Sequence, residues 1–212
     1  MYNAADDESD KVDLSNDYED LSMRNDDMAY KKYVTLSFDD GLEQDKRIIE
    51  ILKKYNIKAT FNLNAGLFGK QGMIGRIGDY GLFDLTEKNK VLLKFLKHSS
   101  ANRISKEEIQ KVYHGFEIAS HGYLHDDLKS LKRNELENAV GRDLEELESI
   151  TGFPIKGYAY AKGGYSDEAM KYLEEKGILY ARTTKTTGTF DFPENPYCFA
   201  ATAWLIEKMC WS

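Results

Sequence analysis

Two short segments hold residue types that together could bind a metal ion and activate water. Residues 37–41 read Ser-Phe-Asp-Asp-Gly, and residues 120–125 read Ser-His-Gly-Tyr-Leu-His. Imidazole and carboxylate groups suit Zn²⁺ and similar divalent ions, and an incomplete protein shell leaves coordination positions for water. A second carboxylate beside such a site could accept a proton. The two segments therefore predict metal-assisted hydrolysis.

The two adjacent carboxylates, Asp39 and Asp40, follow a run rich in β-branched and aromatic residues, 33–38, which predicts a buried strand. Apolar residues recur at helical spacing over residues 43–56, which predicts a following helix. In parallel α/β folds, sites form at the carboxyl ends of strands. Adjacent residues there point in different directions, so one aspartate can bind metal while the other acts as a base. The alternative is a turn that only begins a helix.

His121 and His125 are two of the four histidines in the chain. Residues four apart on a helical turn lie on one face, which would let both imidazoles reach one metal ion. Residues 116–120 are typical of a strand end, which would place the pair at the same sheet edge as the aspartates. The alternative is two unrelated surface histidines beside the acidic turn at 126–127.

Together these segments resemble the motifs of the polysaccharide deacetylases, the NodB-homology group known as carbohydrate esterase family 4. The first family motif, Thr-Phe-Asp-Asp, corresponds to residues 37–41, and the second, His-Ser/Thr-x-x-His, corresponds to residues 121–125. Further similarity is found at residues 57–64, 115–121 and 159–165. The resemblance extends from about Tyr33 to about Pro193, and it implies an α/β fold in the form of a distorted, incomplete (β/α) barrel.

The resemblance implies a metal-dependent hydrolase that removes N-acetyl or O-acetyl groups from a carbohydrate. Asp40, His121 and His125 would hold one divalent ion, with zinc as the first candidate and cobalt, nickel or manganese as alternatives. Metal-bound water would be the nucleophile, and Asp39 would be the base that accepts its proton. An acetylated carbohydrate is therefore the expected partner.

The third family motif corresponds to residues 159–165. A backbone N–H near Lys162 would stabilise the oxyanion of the reaction, and such a donor survives a change of side chain. Tyr160 and Tyr165 would line the substrate cleft.

The chain departs from two family motifs. The third motif is often Arg-x-Pro-x-Gly, whereas Ala159 stands at the arginine position and Ala161 at the proline position. In the family, that arginine orients the catalytic aspartate, so the contact is either missing or supplied elsewhere. The last motif, Leu-x-x-His, provides a general acid, but no histidine follows His125 in this sequence. The alternative function is a non-catalytic or weakly active, metal-stabilised carbohydrate-binding or scaffold protein.

Composition agrees with one enzyme-sized domain. The chain has 212 residues, of which 42% are hydrophobic, enough for one sizeable core. A net charge of −7, without a basic patch, argues against nucleic acid as a partner. No apolar run approaches membrane-spanning length, so no membrane partner is expected. The expected organisation is an acidic, disordered tail over residues 1–30 and a deacetylase-like domain over residues 31–212.

The amino-terminal segment lacks both the basic region and the apolar region of a secretory signal. A cytoplasmic location is the simplest expectation. An extracytoplasmic location stays open, because family members often act outside the cell.

Strand and helix patterns alternate along the chain, which predicts an α/β fold, although strand counting alone also allows an open doubly wound sheet. The predicted strands are residues 33–38, 58–63, 116–120, 157–161 and 178–181. The predicted helices are residues 43–56, 87–96, 106–113, 133–150 and 167–176. Residues 66–80 are predicted to form a loop at the site edge, and Ser105 is predicted to begin its helix with a capping box.

Overall fold

The computed structural model describes residues 33–71 and 102–203, and within them six parallel strands form one curled sheet. The strands are β1 (Ser37–Asp39), β2 (Thr60–Leu63), β3 (Glu117–Ser120), β4 (Gly157–Ala159), β5 (Tyr180–Thr186) and β6 (Phe199–Ala201). Each strand pairs with the next one along the chain. A doubly wound sheet would reverse its strand order at a switch point. The sequential order therefore confirms the incomplete (β/α) barrel.

Helices and short helical turns connect the strands. The α-helices are α1 (Asp45–Lys54), α2 (Ile109–Val112), α3 (Arg133–Leu136), α4 (Arg142–Thr151) and α5 (Asp167–Glu175). A π-helical turn, Glu137–Gly141, joins α3 to α4. The 3₁₀ turns are Ala65–Leu67, Lys106–Glu108, Leu128–Ser130, Ala161–Gly163 and Pro196–Cys198. In the described part of the chain, no helix is long and apolar enough to cross a membrane.

The predicted elements are present wherever the structure describes them, with shifted ends. The burial predicted for the strand at residues 33–38 is wrong, because residues 33–36 lie outside any strand and most of residues 33–38 are exposed. The strand predicted at residues 178–181 runs from Tyr180 to Thr186, and β6 was not predicted. The capping box at Ser105 is wrong, since its hydroxyl lies 3.1 Å from the Glu108 carboxylate and caps no backbone N–H. The helix predicted at 87–96, the acidic tail and most of the 66–80 loop lie outside the described residues.

An aromatic cluster in the core supports the strand ends that carry the site. The ring of Phe61 on β2 is buried and stacks on Phe38 of β1, with 5.3 Å between the ring centroids. Tyr113 and Phe116 contact the same ring at 4.9 and 5.4 Å. Such ring pairs stabilise a fold by about 0.5–1.5 kcal/mol each beyond their buried area. The cluster therefore ties β1 and β2 to the segment that leads into β3.

Asp45 is a buried carboxyl group near the same strand ends. It begins α1, is 4% exposed, and accepts a hydrogen bond of 2.7 Å from the Tyr113 hydroxyl. Burial raises the pKa of Asp45 from 3.8 to about 7; the Tyr113 bond lowers this pKa, and the charges of Asp40 and Asp39 raise it. The folded state therefore binds this proton more tightly than the unfolded state. Its stabilising effect is complete below the ordinary pKa and is lost as the pH rises through 7.

Asp45→Asn should weaken the pH dependence of stability. The amide oxygen can still accept the Tyr113 hydrogen bond, but it carries no charge at high pH. We expect the free energy of unfolding to fall less between about pH 5 and about pH 8 than in the wild type, as measured by denaturant unfolding. Some decline should remain, because burial also raises the pKa of Asp143 to about 7. Identical pH profiles would contradict this assignment.

Candidate metal centre

Asp40, His121 and His125 come together at the carboxyl edge of the sheet. Asp40 directly follows β1, and His121 directly follows β3. One ligand atom from each residue lies within 4.8 Å of the others, and the described residues contain no second group of this kind. The imidazole rings are 4.9 Å apart and inclined at 75°. His125 Nε2 lies 3.9 Å from Asp40 Oδ1. Three donor groups therefore face one small volume.

The two histidines converge through a turn, whereas the sequence predicted a helical turn. Residues 121–127 lie outside every helix and strand of the described chain. Gly122 has a φ of +79° and His125 a φ of +61°, both in the left-handed region. That conformation is strained for a non-glycine residue and is held only where surrounding contacts over-determine it. The local backbone, rather than helical periodicity, aims both rings at Asp40.

Hydrogen bonds from two elements hold this turn in place. The side-chain amide of Asn64 donates to the carbonyl oxygens of His121 and Gly122 at 2.8 and 2.6 Å. The Tyr123 N–H donates to the Ala139 carbonyl at 2.7 Å. Ala139 belongs to the π-helical turn, where the regular helical hydrogen bonding is interrupted. The irregular helix thus provides an acceptor for the turn that carries both histidines.

Asp143 on α4 supports the end of β3 beneath the histidines. Its side chain is fully buried, and it accepts hydrogen bonds from the Ser120 hydroxyl at 2.6 Å and from the Ala65 N–H at 2.7 Å. The carboxyl group therefore joins the segments that follow β2 and β3. These two hydrogen bonds fix the position of one segment relative to the other.

His121 has the tautomer that a metal ligand needs. Its Nδ1 lies 2.7 Å from the Ala159 carbonyl oxygen, which can only accept a hydrogen bond. In the neutral ring Nδ1 therefore carries the proton, and Nε2 keeps its lone pair. Metal-binding histidines are commonly oriented by such a bond to the other ring nitrogen. Two imidazoles and one carboxylate fit a zinc-like ion whose remaining positions hold water.

The surroundings of His125 favour its neutral form. Burial, followed by the charge of His121, lowers the pKa of His125, while the charge of Asp40 raises it. Lys162 and Arg103 lower it further. A neutral imidazole keeps a lone pair for a metal ion.

Asp39 contacts a separate set of donors. Arg182 Nη2 and Asn62 Nδ2 both donate to its Oδ1, at 2.5 and 2.7 Å. Burial would raise the pKa of Asp39, but the fields of His121 and Arg182 and the two hydrogen bonds outweigh burial and lower it from 3.8. Asp39 is therefore ionised at neutral pH. Adjacent in sequence, Asp39 and Asp40 face different partners.

Arg182 contacts Asp39, which in the family is the contact made by the arginine of the third motif. It lies on β5, and its Cα pairs in register with that of Ala159 on β4. Paired residues of neighbouring strands point to the same face of a sheet, so the guanidinium reaches Asp39 from one strand further along. The motifs predict no role for Arg182. The one available signal is its place just after the strand predicted at residues 178–181.

The candidate residues of the third motif differ in how far their side chains are exposed. Lys162 lies in the turn Ala161–Gly163 with a φ of +57° and an exposed side chain. Tyr160 is 2% exposed, and its hydroxyl donates to the Tyr197 carbonyl at 3.1 Å, so its ring belongs to the core rather than to a cleft surface. Tyr165 is half-buried and stacks on Tyr160, with 5.0 Å between the ring centroids. Of the two tyrosines, Tyr165 is the one with surface exposure.

Comparison with known proteins gives a family match over most of the chain. The sequence model of the polysaccharide deacetylase family matches residues 26–181. The chain is 24% identical over 187 residues to the peptidoglycan deacetylase-like protein FGM2 of Gibberella zeae, which covers 80% of this chain and 54% of that protein. It is 23% identical over 128 residues to a bifunctional xylanase/deacetylase of Pseudobutyrivibrio xylanivorans, which covers 59% of this chain and 16% of that protein. The chain thus spans about half or less of these relatives.

Solved structures share the fold. The Streptococcus pyogenes deacetylase PplD, in complex with acetate, superposes with a TM-score of 0.59 at 21% identity, covering 81% of this chain and 64% of that one. IcaB from Ammonifex degensii superposes with a TM-score of 0.60 at 19% identity, covering 83% and 70%. The incomplete barrel is therefore common to these chains.

Proposed function

The chain belongs to the polysaccharide deacetylase family, and we propose that it hydrolyses N-acetyl or O-acetyl groups of a carbohydrate with one bound divalent ion. The supporting observation is the convergence of Asp40, His121 and His125 within 4.8 Å, beside a carboxylate that is held by other donors. Acetate release by the zinc-loaded or cobalt-loaded protein tests the proposal. The proposal would be contradicted if the loaded protein released acetate neither from an acetyl ester nor from an N-acetyl sugar.

Asp40, His121 and His125 would hold the ion, with zinc as the first candidate and cobalt, nickel or manganese as alternatives. When bound, such an ion lowers the pKa of water toward neutrality and polarises a carbonyl oxygen. The His121 tautomer supports this assignment, because the Ala159 carbonyl accepts a hydrogen bond from Nδ1–H and leaves the Nε2 lone pair to bind the ion. The matching chemistry of the donor set supports it as well.

Asp39 would accept the proton of the attacking water. Arg182 and Asn62 both donate to Oδ1, which fixes the plane of the carboxylate. Within the described residues, Oδ2 is left as the proton acceptor. The lowered pKa of Asp39 keeps the group ionised before reaction. A positioned general base typically contributes about 10²–10⁴-fold to the rate.

The backbone N–H of Lys162 is the candidate donor to the oxyanion. The neighbouring Gly163 N–H already donates to the Tyr160 carbonyl at 3.1 Å. The left-handed conformation of Lys162 turns the chain sharply at this point. A preorganised donor of this kind typically contributes about 10²–10³-fold to the rate. Tyr165, at the same end of the sheet, would contact the sugar.

Arg182→Met should slow turnover without weakening metal binding. The variant loses the guanidinium that fixes Asp39 Oδ1, and a displaced base can reduce the rate by about 10²-fold. Steady-state acetate release and a metal titration measure the two quantities separately. Arg133→Met is a suitable control, because Arg133 is an exposed residue that pairs with Glu175. A fall in metal affinity with unchanged turnover would contradict the role assigned to Arg182.

A non-catalytic carbohydrate-binding or scaffold protein is the second candidate function. The specific observation in its favour is the loss of the motif arginine, whose position Ala159 occupies. The contact of Arg182 with Asp39 weakens this argument. Binding of acetylated oligomers without any acetate release would favour this second function.

A further inference from the structure

We infer that Arg103 is a positioning residue that holds Asp40 and the His121 turn together for metal binding. The inference rests on the proposed metal centre and adds a residue that none of the family motifs in the sequence contains. Its side chain is 17% exposed and reaches both segments through one guanidinium group.

The guanidinium of Arg103 bonds to three acceptors. Nη1 donates to the Asp40 carbonyl oxygen at 2.8 Å and to Asn64 Oδ1 at 2.9 Å. Nη2 donates to Asp40 Oδ1 at 3.1 Å. The planar fork of arginine matches such a set of acceptors, whereas the single ammonium of lysine does not. Both the backbone and the side chain of Asp40 are therefore held by one group.

The backbone of Asp40 needs such support. Its φ of +79° is in the left-handed region, which is unfavourable for a residue with a Cβ atom. Its N–H donates to the Asn62 carbonyl at 3.0 Å, and its carbonyl accepts from Arg103. Surrounding contacts on both sides of the peptide unit thus maintain the strained conformation that aims the carboxylate.

Asn64 extends the contact to the other ligand segment. Its Oδ1 accepts from Arg103, and its Nδ2 donates to the carbonyls of His121 and Gly122 at 2.8 and 2.6 Å. Because each end of this buried amide has its required partner, the amide has one satisfactory orientation. Arg103, Asn64 and the histidine turn form one connected set of hydrogen bonds.

Arg103 is itself fixed by the backbone around it. Its N–H donates to the Lys70 carbonyl at 3.0 Å, and the next residue, Ile104, donates to the Gly41 carbonyl at 2.9 Å. Ile104 is fully buried. The guanidinium therefore approaches the loop after β1 from a segment that two backbone hydrogen bonds hold in place.

Two effects of Arg103 on metal affinity oppose each other. Its charge repels a divalent ion, and its hydrogen bonds orient a ligand carboxylate and the turn of a ligand histidine. Loss of an outer hydrogen-bond partner of a ligand typically weakens metal binding by about 10–100-fold. We expect orientation to dominate, because the contacts of Arg103 reach two of the three ligand residues.

Arg103→Met and Arg103→Lys test the inference by metal affinity. Each variant is titrated with Co²⁺ against a competing chelator, and the visible absorption of bound Co²⁺ reports its coordination geometry. We expect about 10–100-fold weaker binding in both variants, with an altered spectrum, since lysine keeps the charge and loses the fork. Arg133→Met, which removes an exposed arginine from α3, should bind Co²⁺ like the wild type.

Thermal unfolding of the metal-free proteins distinguishes a positioning role of Arg103 from a role in folding. Weaker binding by a variant whose metal-free melting temperature is unchanged supports the inference. If Arg103→Met does not fold, Arg103→Lys decides, and failure of both to fold would overturn the inference by making Arg103 a structural residue. Unchanged or tighter binding in folded variants would also overturn it and would leave the proposed function standing. A wild type that binds no Co²⁺ would refute the proposed function itself.

Discussion

Asp39→Asn should bind metal as tightly as the wild type and release acetate about 10²–10⁴-fold more slowly. The amide oxygen of asparagine can still accept from Arg182 and Asn62 at the Oδ1 position. Its NH₂ group then takes the place of Oδ2, and an NH₂ group cannot accept a proton. The substitution therefore removes the proposed base and preserves its surroundings. Steady-state kinetics and a metal titration on the same sample measure both effects.

Asp167→Asn is the matched control for this variant. Asp167 is an exposed aspartate in the first turn of α5, so its substitution should leave turnover and metal affinity unchanged. Loss of metal from Asp39→Asn would show that Asp39 is a ligand, and the roles of Asp39 and Asp40 would then have to be exchanged.

His121→Ala should weaken metal binding more than loss of an outer hydrogen-bond partner does. Loss of such a partner typically weakens metal binding by about 10–100-fold. The substitution removes one of the three proposed protein ligands and leaves only Asp40 and His125. Binding to the folded state alone stabilises a protein, by about 2.7 kcal/mol at a ligand concentration of about 100 Kd. Zinc should therefore raise the melting temperature of the wild type and leave that of the variant nearly unchanged. Differential scanning calorimetry with and without zinc measures this.

His114→Ala is the control for nonspecific binding to histidine. His114 is exposed and follows α2, outside the group formed by Asp40, His121 and His125. Zinc should stabilise this variant as it stabilises the wild type. An equal zinc response in His121→Ala would show that the ion binds elsewhere.

Local sequence patterns were enough to predict the parts of the site that lie directly after a strand. Asp39, Asp40 and His121 all stand at or just after the ends of strands that their β-branched, aromatic or apolar residues predict. Carboxyl ends of parallel strands share one edge, so the meeting of these residues could be predicted without coordinates. The sequential strand order needed the structure, because strand counting allowed two kinds of sheet.

Long-range contacts could not be predicted in this way. Arg182 contacts Asp39 across 143 positions in the chain, and Arg103 contacts Asp40 across 63. Neither contact has a local spacing to mark it, and the register of β4 with β5 decides which side chain replaces the motif arginine. The Tyr160 hydroxyl likewise donates to the Tyr197 carbonyl, 37 positions away in the chain.

The sequence by itself determined the family, the alternation of strands and helices, and the residue types available at the sheet edge. These depend on periodicity and on short motifs, which act within a few residues. Only the tertiary structure decided which groups orient them, because orientation follows from strand register and from backbone strained at Asp40 and His125. Such conformations persist only where distant donors such as Arg103 and Asn64 hold them.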